Sequence, residues 1–422
     1  MKALIATVLF SALPCHGQIF ADVAVSQGTT PVGSFRILLA HDKAPRTCAN
    51  FIGLATGERP WIQETSYRLV ENTPFYDGRI FHRLIHNFMI QGGSSDGLGS
   101  AGSGYAIQDE FHPDLRHSGR YMVSMAKASS PGTGSSQFFI TLQAATHLDD
   151  KHSVFGEVIS GREIIDAFAN PALFPTGASD RPVTNIRIDS VTVSGPSLAG
   201  FDLHDPALEL PTFESVRGVP FRNAADGSFT VSFDREARHS YLYAYSMDLR
   251  SWTPFRHILS VDASAAYPFR IQGVTFDRFF AGIQAVDYSF LINPSAANIP
   301  AGSPLRFSTR SGHTLTLVPN GSGGGTWSYS QGGSGVLTSF SVSDAAPSAG
   351  DFLSSSNQSH FIPLLNLQFT LDRPGGPANR AYHSMTLDFR TSSSGWSDGY
   401  GATSAITSDR VNFLHGFSVG TP

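Results

Sequence analysis

Short apolar runs, separated by turn-forming residues, follow one another along the chain, and this pattern predicts a protein built mainly of β-strands. In the first half, strands are predicted at residues 33–39, 80–85, 88–91, 121–126, 138–142, 152–158 and 183–193. Residues 48–55 and 164–168 have helical spacing instead, and Gly57 is placed to end the first helix. The segment 58–74 is predicted to be irregular, and 92–104 to be a glycine-rich loop.

Turn-forming residues concentrate at 194–206 and again at 293–300, which predicts two domain boundaries. We therefore predict a first domain at 22–195. One or two further β-rich modules of sandwich or barrel type would follow, at 200–295 and 298–422.

In these modules the predicted strands are short and rich in aromatic and β-branched residues, at 228–233, 240–245, 279–286, 314–318, 336–342, 364–371 and 384–389. Glycine- and serine-rich segments at 321–325 and 392–401 are predicted to interrupt them. The stretch after residue 194 offers few apolar anchors between domains, so we expect residues 22–198 to fold and act alone.

The first residues have the order of a secretory signal peptide. Lys2 is followed by the apolar run 3–13, and a cleavage site is expected after Gly17. The run is too short to span a bilayer, which takes about 20 residues. Residues 1–17 therefore predict export to the periplasm, the cell surface or the medium; the alternatives are a buried strand and, through Cys15, a lipid anchor. Cleavage would leave Cys48 alone, so no intramolecular disulfide is expected.

The balance of charge excludes one class of partner. The 29 basic residues stand against 34 acidic ones, a net charge of −5, and no basic cluster suited to binding nucleic acid is present. The 41% of hydrophobic residues, with 32 phenylalanines, is ample for several cores. No later run is long and apolar enough for a membrane helix, so a folded protein without a membrane span is expected.

Three short motifs with catalytic associations lie in the wrong context. Residues 97–102 spell the dinucleotide-binding glycine pattern, but no amphipathic helix follows. Residues 93–97 spell the nucleophile elbow without its strand-to-helix turn, and 124–127 spell the serine–lysine pattern without its partner motif. The 15 histidines show no metal-ligand spacing. We therefore predict no cofactor and no metal.

A larger set of motifs is ordered along the first domain. It consists of Phe-His-Arg-Leu-Ile at 81–85, Phe-Met-Ile-Gln-Gly-Gly at 88–93, Ser-Met-Ala at 124–126, Ser-Gln-Phe-Phe-Ile at 136–140, Leu-Asp-Asp-Lys-His at 148–152 and Val-Phe-Gly at 154–156. This set resembles the cyclophilin family of peptidyl-prolyl cis-trans isomerases, over residues 33–193 and so over less than half of the chain. The resemblance implies an eight-stranded antiparallel barrel capped by helices, and rotation about X–Pro bonds without a cofactor.

That reaction makes modest chemical demands. Rotation about an X–Pro bond faces a barrier of about 20 kcal/mol because the nitrogen lone pair is conjugated with the carbonyl. No bond breaks, so neither a nucleophile nor a metal is needed. A catalyst needs a donor for the prolyl nitrogen, an apolar cup for the ring, and anchors for the flanking carbonyls.

The resemblance implies which residues meet these demands. Arg83 would donate to the prolyl nitrogen, because a guanidinium is always charged and carries rigidly placed N–H groups. Gln91 would bind a substrate carbonyl, and His152 would line the pocket. The apolar cup would consist of Phe88, Met89, Phe139 and Leu148. The expected catalytic set is thus Arg83, Phe88, Gln91, Phe139 and His152.

The resemblance also implies further substrate-binding positions. Ala126 would form part of the adjoining groove, Lys127 would offer backbone hydrogen bonds there, and Gln137 would brace Arg83. Lys127 stands where the family usually has Asn, and His147 stands at the pocket rim where it often has Trp. Since that indole helps to hold cyclosporin, weaker cyclosporin binding is expected here.

Two functions are compatible with these residues. The leading hypothesis is an exported isomerase that acts on proline-containing polypeptide clients and assists their folding. The alternative is a non-catalytic binding or adhesion protein that grips proline-containing segments, while its C-terminal β modules bind a surface or matrix ligand of unknown identity. The complete catalytic set favours the enzyme, and turnover of a short X–Pro peptide would distinguish the two.

Overall fold

The computed structural model describes residues 17–63, 65–128, 132–216, 219–222, 229–232, 239–246, 248–260, 269–271, 280–288, 299–308, 314–330, 332–344, 365–371, 381–391, 394–402 and 416–419. The predicted signal peptide, apart from Gly17, and most of the predicted boundary at 293–300 lie outside the described residues. Within the described ranges, no helix is long and apolar enough to cross a membrane.

Ten strands form the first part of the chain. They are β1 (Ile19–Gln27), β2 (Thr30–Leu39), β3 (Trp61–Gln63), β4 (Arg68–Val70), β5 (Ile80–Ile85), β6 (Met89–Gly92), β7 (Met122–Met125), β8 (Phe138–Thr141), β9 (Val154–Ser160) and β10 (Ile186–Ser194). Eight of them close a barrel in the order β1-β10-β5-β6-β8-β7-β9-β2, and every neighbouring pair is antiparallel. This confirms the predicted fold class.

The barrel core follows from the alternation of side chains along each strand. In β1, the side chains of Ile19, Ala21, Val23 and Val25 are buried, while the residues between them are only partly covered. Phenylalanine and tyrosine rings fill the centre, with neighbouring ring centroids 4.9–5.9 Å apart in tilted and edge-to-face contacts. Such contacts add to the stabilisation from apolar burial.

Two helices cap the barrel, as predicted. Helix α1 (Pro45–Thr56) begins with Pro45, whose missing N–H costs nothing in a first turn. It ends at Gly57, whose φ of +80° is a left-handed conformation that glycine adopts without strain. Helix α2 (Arg162–Phe168) buries Ile164, Ile165 and Phe168.

Two of the predictions for individual segments are wrong, and one strand of the first barrel was not predicted. Strand β1 was not predicted, although it pairs with both β2 and β10. The segment 58–74, predicted to be irregular, contains the β3–β4 hairpin. The predicted break at 392–401 is largely strand, because strands rich in glycine and serine lack the apolar alternation on which the prediction depended.

Between the first barrel and residue 288, the described residues contain seven strands. They are β11 (Thr212–Val216), β12 (Val219–Arg222), β13 (Phe229–Ser232), β14 (His239–Ser246), β15 (Trp252–Ser260), β16 (Phe269–Ile271) and β17 (Phe280–Asp287). They form a four-stranded sheet in the order β11-β17-β14-β15 and a three-stranded sheet in the order β12-β13-β16.

From residue 305 onward, the described residues contain eight strands, which form a second closed barrel. They are β18 (Leu305–Ser308), β19 (Thr314–Pro319), β20 (Gly325–Tyr329), β21 (Ser334–Asp344), β22 (Leu365–Leu371), β23 (Ala381–Thr391), β24 (Ser394–Ala402) and β25 (Gly416–Val419). Each strand pairs with the next, and β25 returns to β18. Leucine and phenylalanine side chains fill its interior, together with Trp327.

The junction between the first barrel and the four-stranded sheet is apolar and well anchored. Leu242 of β14, Val286 of β17 and Tyr288 belong to the same buried cluster as the barrel core. The expectation of few apolar anchors is therefore wrong. Leu198, Phe201 and Leu203, within residues 194–206 themselves, also pack against this cluster as partly buried side chains. Leu242, Val286 and Tyr288 lie far along the chain, so inspection of residues 194–206 alone could not reveal them.

Candidate active site

Strand register places three of the predicted site residues side by side. Arg83 of β5 lies opposite Gln91 of β6, and Gln91 lies opposite Phe139 of β8. Directly opposed residues share one face of a sheet. Because Ile90 and Phe138 point into the barrel core, Arg83, Gln91 and Phe139 lie on its outer surface.

The four residues predicted to form the apolar cup lie beside them. Met89 and Phe139 are only 2% and 4% exposed, although neither belongs to the barrel core. Phe88 and Leu148 are half-buried. The exposed ring of His147 stacks on Phe88 with centroids 5.7 Å apart, which puts His147 at the rim.

The ring of Phe139 is held from two sides. The His117 ring stacks parallel to it at 5.7 Å, and the His152 ring meets it edge-on at 5.5 Å. His117 is itself fixed, with Nδ1 2.9 Å from Asp149 Oδ1 and Nε2 3.0 Å from Ser124 Oγ. The position of Phe139 therefore depends on a buried polar network.

This network has the residue types of a hydrolase triad but cannot act as one. Burial lowers the pKa of His117, which keeps the ring neutral. A neutral ring that donates from Nδ1 to Asp149 can accept at Nε2 from the Ser124 hydroxyl. Ser124 is fully buried and has no access to a substrate, so the three residues support the cup.

The Arg83 guanidinium is oriented by an acidic residue that the sequence did not indicate. Arg83 Nε lies 3.4 Å from Asp180 Oδ2, and 97 positions separate the two residues along the chain. Asp180 lies in a turn with a φ of +58°, a conformation that aspartate tolerates better than most residues. The Arg83 side chain is 43% exposed, so its remaining N–H groups can reach a substrate.

Gln137 braces Gln91, and this corrects the expectation that it braces Arg83. Gln91 Nε2 donates to Gln137 Oε1 at 2.9 Å. Gln137 Nε2 in turn donates to the carbonyls of Gly99 and Ala101, each at 3.0 Å. Because an amide nitrogen carries two N–H groups, Gln91 keeps a second donor for a substrate carbonyl.

His152 is a neutral wall of the pocket. Its Nδ1 lies 2.9 Å from the Met125 carbonyl, and burial lowers its pKa to about 4. The adjoining Ala126 donates its backbone N–H to the Gln137 carbonyl at 2.8 Å. The Lys127 side chain is buried against Asp109, with Nζ 3.4 Å from Oδ2.

All eleven predicted site residues therefore lie on or beside one surface, formed by β5, β6, β7, β8 and the turn before β9. Sequence reasoning missed Asp180, His117, Asp149 and Asp109, which act through contacts that the fold creates. A signal existed for Asp149, because it belongs to the 148–152 motif, and for Asp109, because the block Asp-Glu-Phe at 109–111 fits the same family pattern. Within the part of the chain that the structure describes, no group of three or more potential metal ligands lies together.

Comparison with known proteins gives one consistent family. The model of the cyclophilin-type peptidyl-prolyl cis-trans isomerase/CLD family matches residues 22–193. Peptidyl-prolyl cis-trans isomerase A of Mycobacterium tuberculosis is 43% identical over 184 residues, which are 43% of this chain and 98% of that protein. Peptidyl-prolyl cis-trans isomerase B of Streptomyces anulatus is 44% identical over 179 residues, 42% of this chain and 97% of that protein.

Among solved structures, a cyclophilin-type isomerase of Cryptosporidium parvum is 27% identical. It covers 42% of this chain and 98% of its own, with a TM-score of 0.35. The bacterial relatives are matched over nearly their whole length at more than 40% identity. The chain therefore belongs to the cyclophilin family of peptidyl-prolyl cis-trans isomerases.

Proposed function

We propose that this isomerase is exported and accelerates rotation about X–Pro bonds in exported polypeptides, which assists their folding. The observation that carries the proposal is the row of Arg83, Gln91 and Phe139 across three neighbouring strands. The three residues supply a cationic donor, a carbonyl anchor and an apolar cup within the reach of one proline residue.

The mechanism follows from what changes as the bond twists. Twisting removes the conjugation of the prolyl nitrogen, so its lone pair becomes able to accept a hydrogen bond. An N–H group of Arg83 that donates to this lone pair stabilises the twisted amide more than the planar one, and this difference lowers the barrier. Each tenfold acceleration requires about 1.4 kcal/mol of such differential stabilisation.

The other groups keep the bond in place while it twists. The cup of Phe88, Met89, Phe139 and Leu148 holds the pyrrolidine ring. The free N–H of Gln91 holds a flanking carbonyl, and the neutral ring of His152 closes one wall without placing a second charge beside Arg83. The acyl group that precedes the proline can then rotate about the X–Pro bond while the pyrrolidine ring stays fixed.

Export is proposed from the sequence of residues 1–17, whose basic, apolar and small-residue order suits a secretory signal. Its test is N-terminal sequencing of the protein recovered from cell fractions. A mature protein that begins near residue 18 in the periplasm or the medium supports export, whereas an intact Met1 in the cytosol refutes it.

The isomerase is tested on two substrates. A protease-coupled assay on an X–Pro peptide measures catalysis directly, and a refolding protein whose slow phase is a proline isomerisation measures assistance to folding. Catalysis of the peptide without acceleration of the slow phase would refute the folding role. Absence of both activities would favour the alternative of a non-catalytic protein that binds proline-containing segments.

A further inference from the structure

The four-stranded sheet that follows the first barrel makes specific polar contacts with it. Arg59 Nε donates to the Tyr105 hydroxyl at 2.8 Å, and Arg59 Nη2 donates to the Pro211 carbonyl at 2.6 Å. The guanidinium also lies over the rings of Tyr105 and Phe213, 4.7 and 5.7 Å from their centroids. Residues on both sides of the junction therefore contact the same Arg59 guanidinium.

These contacts continue towards the active site. The Tyr105 hydroxyl donates to Asn50 Oδ1 at 2.7 Å, and Asn50 Nδ2 donates to the Ser135 carbonyl at 2.8 Å. Asn50 is fully buried. Ser135 belongs to residues 132–137, here called the groove wall, and the groove wall ends in Gln137, the partner of Gln91.

A second route begins at Tyr288, directly after β17. Its hydroxyl accepts the backbone N–H of Ala106 at 3.0 Å, and the side chain is 1% exposed. The next residue, Ile107, donates its N–H to the Gly134 carbonyl at 2.7 Å and forms an isolated bridge with it. Tyr288 thus fixes the segment against which the groove wall is paired.

We propose that Tyr288 is a positioning residue of the isomerase, through which the four-stranded sheet holds the groove wall and the Gln137–Gln91 pair in place. The family match ends at residue 193, so this residue comes from outside the family domain. The inference rests on the proposed roles of Gln91 and Gln137. Without the hydroxyl, the buried Ala106 N–H has lost its partner, and the local structure shifts to satisfy it.

The test compares the full-length protein with Tyr288→Phe, which removes one hydroxyl and keeps the ring. The matched control is Tyr243→Phe, which removes a hydroxyl from an equally buried ring. Tyr243 pairs with Ile283, whereas Leu242 and Val286 belong to the barrel-facing cluster. Tyr243 therefore lies on the face of the sheet that is turned away from the first barrel.

Two measurements are made on each protein: kcat and KM on an X–Pro tetrapeptide, and amide hydrogen exchange of residues 132–137. For Tyr288→Phe we expect KM to rise about threefold to tenfold, kcat to change by less than about twofold, and exchange in the groove wall to become faster. The control is expected to match the wild type in kcat, in KM and in the exchange of the groove wall.

Wild-type KM and wild-type exchange in Tyr288→Phe would overturn the inference, and so would an equal effect in the control. If the wild-type protein itself lacks activity, the proposed function fails, and hydrogen exchange alone then decides. Faster exchange in the groove wall of Tyr288→Phe would support the positioning role, and unchanged exchange would refute it.

Discussion

Replacing Arg83 by alanine tests the proposed mechanism most directly. The substitution removes the proposed charged donor to the prolyl nitrogen and leaves the proposed cup and the proposed Gln91 anchor in place. A hydrogen bond to a charged group is worth about 1.5–3 kcal/mol. Since the Arg83 side chain is 43% exposed, solvent screening favours the lower half of that range. The expected loss in kcat/KM is therefore about tenfold to fiftyfold.

Stability should change little, because the ion pair with Asp180 is exposed and such pairs contribute about 1 kcal/mol or less. The matched control is Arg36→Ala. Arg36 is also 43% exposed and pairs with Asp22 at 2.8 Å, on the β1–β2 side of the barrel, opposite β6 and β8. A protease-coupled assay near 10 °C keeps the uncatalysed reaction slow. Wild-type kcat/KM in a folded Arg83→Ala protein would refute the mechanism.

Three further outcomes are expected. The pKa of His152 is near 6.5 in the unfolded chain and about 4 in the folded chain, so the unfolded chain binds the proton first as the pH falls. The free energy of unfolding should therefore fall by up to about 3 kcal/mol between pH 7 and pH 4. Equal pH dependence in denaturant titrations of the wild type and His152→Gln would contradict this. His147→Trp should enlarge the apolar rim beside Phe88 and strengthen cyclosporin binding about tenfold, while peptide turnover changes less than twofold. Equal inhibition of the wild type and His147→Trp in a cyclosporin titration would argue against it. The independent fragment is lengthened from 22–198 to 18–198, because β1 begins at Ile19. It should catalyse but melt at a lower temperature than the same barrel in the full chain, because Arg59 loses Pro211 and Tyr105 loses Phe213. Calorimetry that gives equal melting temperatures would refute the anchored junction.

Local patterns predicted most of the first barrel correctly. Runs such as residues 80–85 and 138–142 carry β-branched and aromatic residues between turn signals, and these features act over a few residues. The β3–β4 hairpin was missed because Trp61 and Val70 pair across an irregular, partly polar segment. Its strands are three residues long, too short to show a period.

The residues proposed to touch the substrate were found in sequence, whereas most residues that orient them were not. Arg83 and Gln91 lie within the motif blocks at 81–85 and 88–93, so they can be found from local sequence. Asp180 reaches Arg83 only after the chain has closed the barrel. Tyr288 reaches Ala106, next to the residue that pairs with the groove wall, only when the four-stranded sheet docks. No spacing rule within a single segment predicts such contacts.

The supporting residues share a physical property that explains their effect on geometry. Asn50, His117 and Gln137 are polar side chains held in buried or partly buried positions, each with hydrogen-bond partners on two sides. A buried polar group that loses its partner costs about 1–3 kcal/mol, so each is confined to the orientation that satisfies both partners. A catalyst that distinguishes a twisted amide from a planar one depends on how closely its donors are held, since a misplaced donor stabilises both states alike. The buried polar network is therefore what would turn three common side chains on a barrel surface into an isomerase site.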